Sequence, residues 1–77
     1  MNKHSYLFDL RTAKALSLTE MAKAIGVARS TYCRWEAKEN KPDTRIEYLQ
    51  ALAKLEGLNA ESIKSLESVK SRLLMEF

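Results

Sequence analysis

The sequence predicts an all-α domain of five helices. Three observations lead there. Ala, Leu, Lys and Glu dominate, and alternating β-branched runs are missing. Apolar residues recur at three- and four-residue spacing behind residues that start helices well. Only two Gly and one Pro interrupt 77 residues, so the segments between them have room for regular structure. A chain this short holds one core, and residues 1–77 read as a single domain.

The first helix is expected from about Ser5 to Ala15, with Ser5 as its N-cap. The second is expected over about 18–25. Ser17 and Glu20 have the spacing of a capping box, in which each side chain satisfies the other's backbone N–H. Gly26 can take the left-handed conformation that ends a helix. The third helix is expected over about 29–38, behind Ala28, a poor capping residue. Glu39–Asp43, with Asn40 and Pro42, reads as a loop. A fourth helix is expected from about Thr44 to Glu56, capped by Asp43, with the apolar residues Ile46, Leu49, Leu52 and Ala53 at a 3.6-residue period. Gly57 ends it. Asn59 is the expected cap of a long C-terminal helix over about 60–76, roughly 27 Å at 1.5 Å per residue. Its apolar side carries Ile63, Leu66, Val69 and Leu73.

Composition narrows the chemistry. One Cys excludes an intramolecular disulfide, and one Cys with one His cannot build a four-ligand zinc site. No Ser/His/Asp set or phosphate-cradling glycine loop is present, so the expectation is a protein without enzymatic activity, cofactor, metal or small-molecule ligand. No apolar run approaches the roughly 20 residues of a membrane span, and no signal segment opens the chain. A cytoplasmic location without membrane partner is expected. Net charge is +3. All of it lies before Ala37, where six bases face three acids. The remainder is balanced.

The segment from Met21 to Trp35 is the informative one. A short turn at Gly26 sets two helices at a steep angle. Ala22 lies where they cross, and Met21, Ile25, Val27, Tyr32 and Trp35 converge on a shared core. At about 100° per residue, Ala28, Tyr32 and Trp35 share one face of the third helix. Ser30, Cys33, Arg34 and Ala37 lie on the opposite face, with Arg29 on its flank. That outward face is short, polar and basic.

These residues resemble the Cro/phage-repressor (XRE-type) helix-turn-helix family from Leu10 to about Ile63. The likeness rests on Leu10-Arg11, Leu16-Ser17, Met21-Ala22, Ile25-Gly26-Val27, Ser30-Thr31, Trp35-Glu36, Pro42 and the Leu49, Leu52, Ala53 stripe. It implies a five-helix lambda-repressor-like domain that lays its third helix in the major groove of double-stranded DNA. It also implies an ion pair between Arg11 and Glu36. The expected base-contacting residues are Arg29, Ser30, Cys33 and Arg34. How the two arginines divide bases and phosphates stays open. A guanidinium matches the guanine edge, and Cys33 is small enough to lie against a thymine methyl. Expected phosphate contacts are Ser17, Thr19, Thr31, Lys38, Asn40 and Lys41, some at helix N-termini where free N–H groups point outward. Ala15 and Lys38 stand where the family often has Gly. Either those positions keep a left-handed backbone, at roughly 1 kcal/mol each, or the helices run on.

The apolar C-terminal helix suggests a homodimer through Val69, Leu73, Leu74 and Phe77. A twofold pair would present two recognition helices to a palindromic operator. The leading expectation is therefore a small phage or bacterial repressor. The alternatives are an antitoxin that autoregulates its operon and binds a toxin, or a protein-interaction module without DNA binding.

Overall fold

A computed structural model describes residues 5–75. They form α1 (Tyr6–Ala13), α2 (Leu18–Ile25), α3 (Arg29–Glu36), α4 (Ile46–Leu55) and α5 (Ile63–Leu74), with no strand among them. Helix α2 packs against α3 and α4, α1 against α3 and α5, and α4 against α5. Met21, Tyr32, Ala53 and Val69, from four different helices, are completely buried where these helices meet.

Local chemistry explains the starts. Ser5 Oγ accepts from Phe8 N at 3.0 Å. Ser17 and Glu20 form the reciprocal capping box, with Ser17 N donating to the Glu20 carboxylate at 2.8 Å and Glu20 N to Ser17 Oγ at 3.1 Å. Burial of polar backbone at these ends would be costly without such partners.

Four boundaries differ from the sequence reading. Helix α1 ends at Ala13 instead of Ala15, because Ala15 turns left-handed at φ 56°. Helix α3 ends at Glu36 instead of Lys38, because Lys38 turns left-handed at φ 64°. Helix α4 begins at Ile46 instead of Thr44. The Asp43 carboxylate accepts from Arg45 N at 3.0 Å, which forms a turn before the helix instead of capping it. Asn59 does the same before α5, accepting from Glu61 N at 2.9 Å. Helix α5 therefore begins at Ile63 and spans only about 18 Å.

Four helix ends share one geometry. A residue in the left-handed region follows α1, α2, α3 and α4: Ala15 (φ 56°), Gly26 (φ 96°), Lys38 (φ 64°) and Gly57 (φ 79°). In each case the next N–H reaches back five residues. Leu16 N donates to Arg11 O, Val27 N to Ala22 O, Glu39 N to Arg34 O and Leu58 N to Ala53 O, all at 2.9–3.0 Å. These are Schellman ends, which close orphan carbonyls in a tight reversal. Glycine adopts this conformation freely, whereas Ala15 and Lys38 are strained in it.

Two polar clamps tie the helices together. Arg11 holds Glu36 through two parallel bonds, Nε to Oε2 at 2.9 Å and Nη2 to Oε1 at 3.0 Å. Its third donor reaches Leu16 O at 3.0 Å. Tyr32 donates to the same carboxylate at 2.6 Å. The second clamp joins Tyr6, Glu56 and Arg72: the Tyr6 hydroxyl bonds to Glu56, Arg72 Nη1 donates to Glu56 at 2.7 Å, and the guanidinium lies 5.5 Å from the Tyr6 ring centre. Burial and the neighbouring carboxylate push both tyrosine hydroxyls above their ordinary range, so each remains a proton donor.

Replacing Ala15 with Gly should relieve left-handed strain and stabilise the domain by about 1 kcal/mol. Thermal melts should then rise by about 4–8 °C; an unchanged or lowered midpoint would show that the turn carries no strain. Glu36 is poorly solvated, which by itself raises its pKa, but bonds from Arg11 and Tyr32 overcome this and hold it below 4.5. Its contribution is therefore fully present above that value and is lost as pH falls through the lower folded value. Glu36→Gln should cost about 2–3 kcal/mol near neutral pH and flatten the acid limb of stability. Urea melts from pH 3 to 7, chosen to bracket roughly the carboxylate range, check both effects.

Candidate nucleic-acid interface

The outward surface of α3 depends on the inward one. Tyr32 is fully buried and Trp35 is 6% exposed, and they lie on one side of the helix. The Trp35 ring meets Tyr48 of α4 at 5.7 Å between centres. With that side fixed in the core, Arg29, Ser30 and Arg34 are exposed, and Thr31 and Cys33 are half-buried. Glu36 cannot rotate outward, because Arg11 and Tyr32 hold it from two other directions. Its negative charge is thereby matched, while Arg29 and Arg34 enter no ion pair among the described residues. The exposed face keeps its basic character.

The two helix N-termini beside this face differ. Ala28 makes no side-chain cap bond, and α3 has no acid in its first turn. Its first N–H groups and the positive end of its dipole are thus uncompensated, a favourable setting for an anion. At α2 the Glu20 carboxylate occupies part of the equivalent position and accepts from Ser17 N. Only the N–H groups of Leu18 and Thr19 lie outside the capping box. Ser17 and Thr19 are exposed, and the Ser17 hydroxyl still has its own proton to donate.

Beyond α3, the left-handed turn at Lys38 sends the chain sharply away from the helix axis. Lys38 is half-buried, Asn40 and Lys41 are exposed, and Pro42 is buried as the anchor of the loop. Arg45, at the start of α4, was not singled out by the sequence. It pairs with Asp43 at 3.2 Å and lies 5.0 Å from the Tyr48 ring centre, so its charge is partly engaged. Tyr32 is a second omission. The sequence marked it as a packing residue, but its hydroxyl also positions Glu36. The four-residue spacing of Tyr32 and Glu36 on one helix face was the available signal.

The expected dimer residues separate. Val69 is completely buried and Leu73 is 4% exposed, both within the chain's own core. This corrects their placement at a partner surface: a short α5 lying flat on α1 and α4 needs them to cover the core. Leu74 is half-buried, and Phe77 lies outside the described residues. Two residues of the apolar stripes lie outside the core: Ile46 and Ile63 are 60% and 72% exposed. Each is the first residue of its helix, beyond the reach of the packed stripe.

Five helices, a tight α2–α3 turn at Gly26 and an outward basic face on the second of those helices define a helix-turn-helix DNA-binding domain. Comparison agrees: a helix-turn-helix family profile of the Cro/phage-repressor (XRE) type matches residues 7–63, and the chain belongs to that family. No curated protein and no solved structure matches it. No helix among the described residues is long and apolar enough to cross a membrane.

Proposed function

We propose that this protein is a transcriptional repressor that binds a palindromic operator as a homodimer, with one α3 in each major groove. The setting would be the cytoplasm of a bacterium or phage-infected cell. The observation that carries the reading is the two-sided α3, with Tyr32 and Trp35 buried behind and Arg29, Ser30 and Arg34 exposed in front. Arg29, Ser30, Cys33 and Arg34 read base edges. Short side chains at positions 30 and 33 allow close approach, so the longer arginines flanking them can reach the groove floor. Ser17, Thr19, Thr31, Lys38, Asn40 and Lys41 fix the register on the phosphates. A repressor role needs only occupancy of the site, which this small domain can provide.

Selection of bound sequences from a random duplex pool tests the whole reading, and a palindrome with half-sites about 34–36 Å apart is expected. Within it, Arg34→Ala should weaken specific binding by about 1–3 kcal/mol and relax preference at one base pair per half-site. Titration of single-substitution operators measures this; undiminished selectivity would remove Arg34 from base readout. Lys41→Ala should instead weaken all sequences alike. Its slope of log affinity against log salt should flatten by about one unit per subunit bound. An unaltered slope would place Lys41 away from the phosphates.

A further inference from the structure

One apolar surface is not consumed by the fold. Ile46 at the start of α4 and Ile63 at the start of α5 are both strongly exposed, and they line one shallow groove. Leu49 and Leu66 form its floor, and Glu67 and Lys70 form its edge. A single exposed isoleucine is ordinary, but two across one groove make a patch that water solvates poorly.

The charges at the edge indicate what fits. Glu67 and Lys70 are one turn apart on α5, and neither enters an ion pair among the described residues. With Ile63 and Leu66 they form a stripe at three- and four-residue spacing. A second α5 laid antiparallel, with the twofold axis between Leu66 and Glu67, sets Ile63 against the aliphatic stem of Lys70 from the other copy. Glu67 then lies about 6 Å along the axis from the other copy's Lys70, within reach of two long side chains. The same pairing occurs twice. A uniformly acidic or basic partner would leave one of the two charges opposed, whereas the groove turned onto itself satisfies both.

Position adds a second argument. Ile46 follows Arg45 directly, so the groove begins where the chain segment after Asn40 and Lys41 enters α4. Only four residues of chain separate it from Lys41 of the proposed DNA-facing side, and a twofold axis must pass near that side if two copies are to face one duplex.

We propose that the Ile46–Ile63 groove is the dimer surface, occupied by the same groove of a second copy, with Glu67 and Lys70 paired reciprocally across the twofold axis. The proposal deepens the operator reading by locating its symmetry axis, but its test does not require DNA. Sedimentation equilibrium of the full chain should give twice the 8.8 kDa chain mass at high concentration. Ile63→Asp should raise the dimer dissociation constant at least about tenfold, since each dimer would lose two apolar contacts and have to desolvate two added carboxylates whose nearest cation, Lys70 of the other copy, is already paired with Glu67. Helical circular dichroism and the melting midpoint of the monomer should persist, because the side chain is exposed. Lys70→Glu should also weaken the dimer, and adding Glu67→Lys should restore it; this pair carries the test if Ile63→Asp fails to fold. A wild-type chain that stays monomeric up to about 1 mM, the weak end of specific association, would overturn the proposal. So would a dimer indifferent to Ile63→Asp and to both charge changes. Dimerisation without operator binding would instead sink the operator reading and leave this surface standing.

Discussion

The Arg11–Glu36 pair is the constraint on which the proposed DNA-facing side depends. It joins α1 to the last residue of α3, and Arg11 also bonds Leu16 O in the turn that leads into α2. One guanidinium therefore fixes three segments. The pair is 16% and 13% exposed, so both charges are largely withdrawn from water. Such a pair adds little net stability over apolar residues of equal shape, but breaking it leaves a charge without solvent or partner. Its value is directional. The planar fork accepts one arrangement of the carboxylate, and the Tyr32 hydroxyl reinforces that arrangement from inside α3. The rotation of α3 about its own axis is set by this pair together with Tyr32 and Trp35. That rotation decides which residues face outward.

The repeated Schellman ends complement this rigidity. Helices of eight to ten residues must reverse direction within a few residues to share one small core. The left-handed turn achieves this and satisfies carbonyls that the helix leaves open. Two of the four turns use residues poorly suited to the conformation, Ala15 and Lys38. At Lys38 the proposed phosphate contact would use a charge that glycine cannot supply. At Ala15 nothing in the structure explains the choice.

Polar and apolar surfaces divide the remaining tasks. The second clamp, Tyr6–Glu56–Arg72, joins α1 to the C-terminal ends of α4 and α5, at the other end of each helix from Ile46 and Ile63. It spares the start of α5 from anchoring the fold. The first turns of α4 and α5 can then expose isoleucine side chains beside unpaired charges of opposite sign. The proposed dimer surface and the proposed DNA surface are both by-products of where the core no longer reaches.

Much of this was legible in the sequence. The five helices, the Ser17–Glu20 capping box, the turn at Gly26 and the buried face of α3 follow from patterns within a few residues of each other. Local chemistry determines them, because capping, helical periodicity and glycine's freedom act over one or two turns. The boundaries of α4 and α5 were less legible. Asp43 and Asn59 can cap a helix or close a turn before one, and neighbouring structure decides between the two. The assignment of apolar residues was harder still. A helical wheel places Ile63, Leu66, Val69 and Leu73 on one side, but it cannot say how far the neighbouring helices extend along that side. Only the packed structure shows that Val69 and Leu73 are covered while Ile63 and Ile46 are not. Periodicity is a property of one helix, whereas burial is a property of the surfaces that meet it.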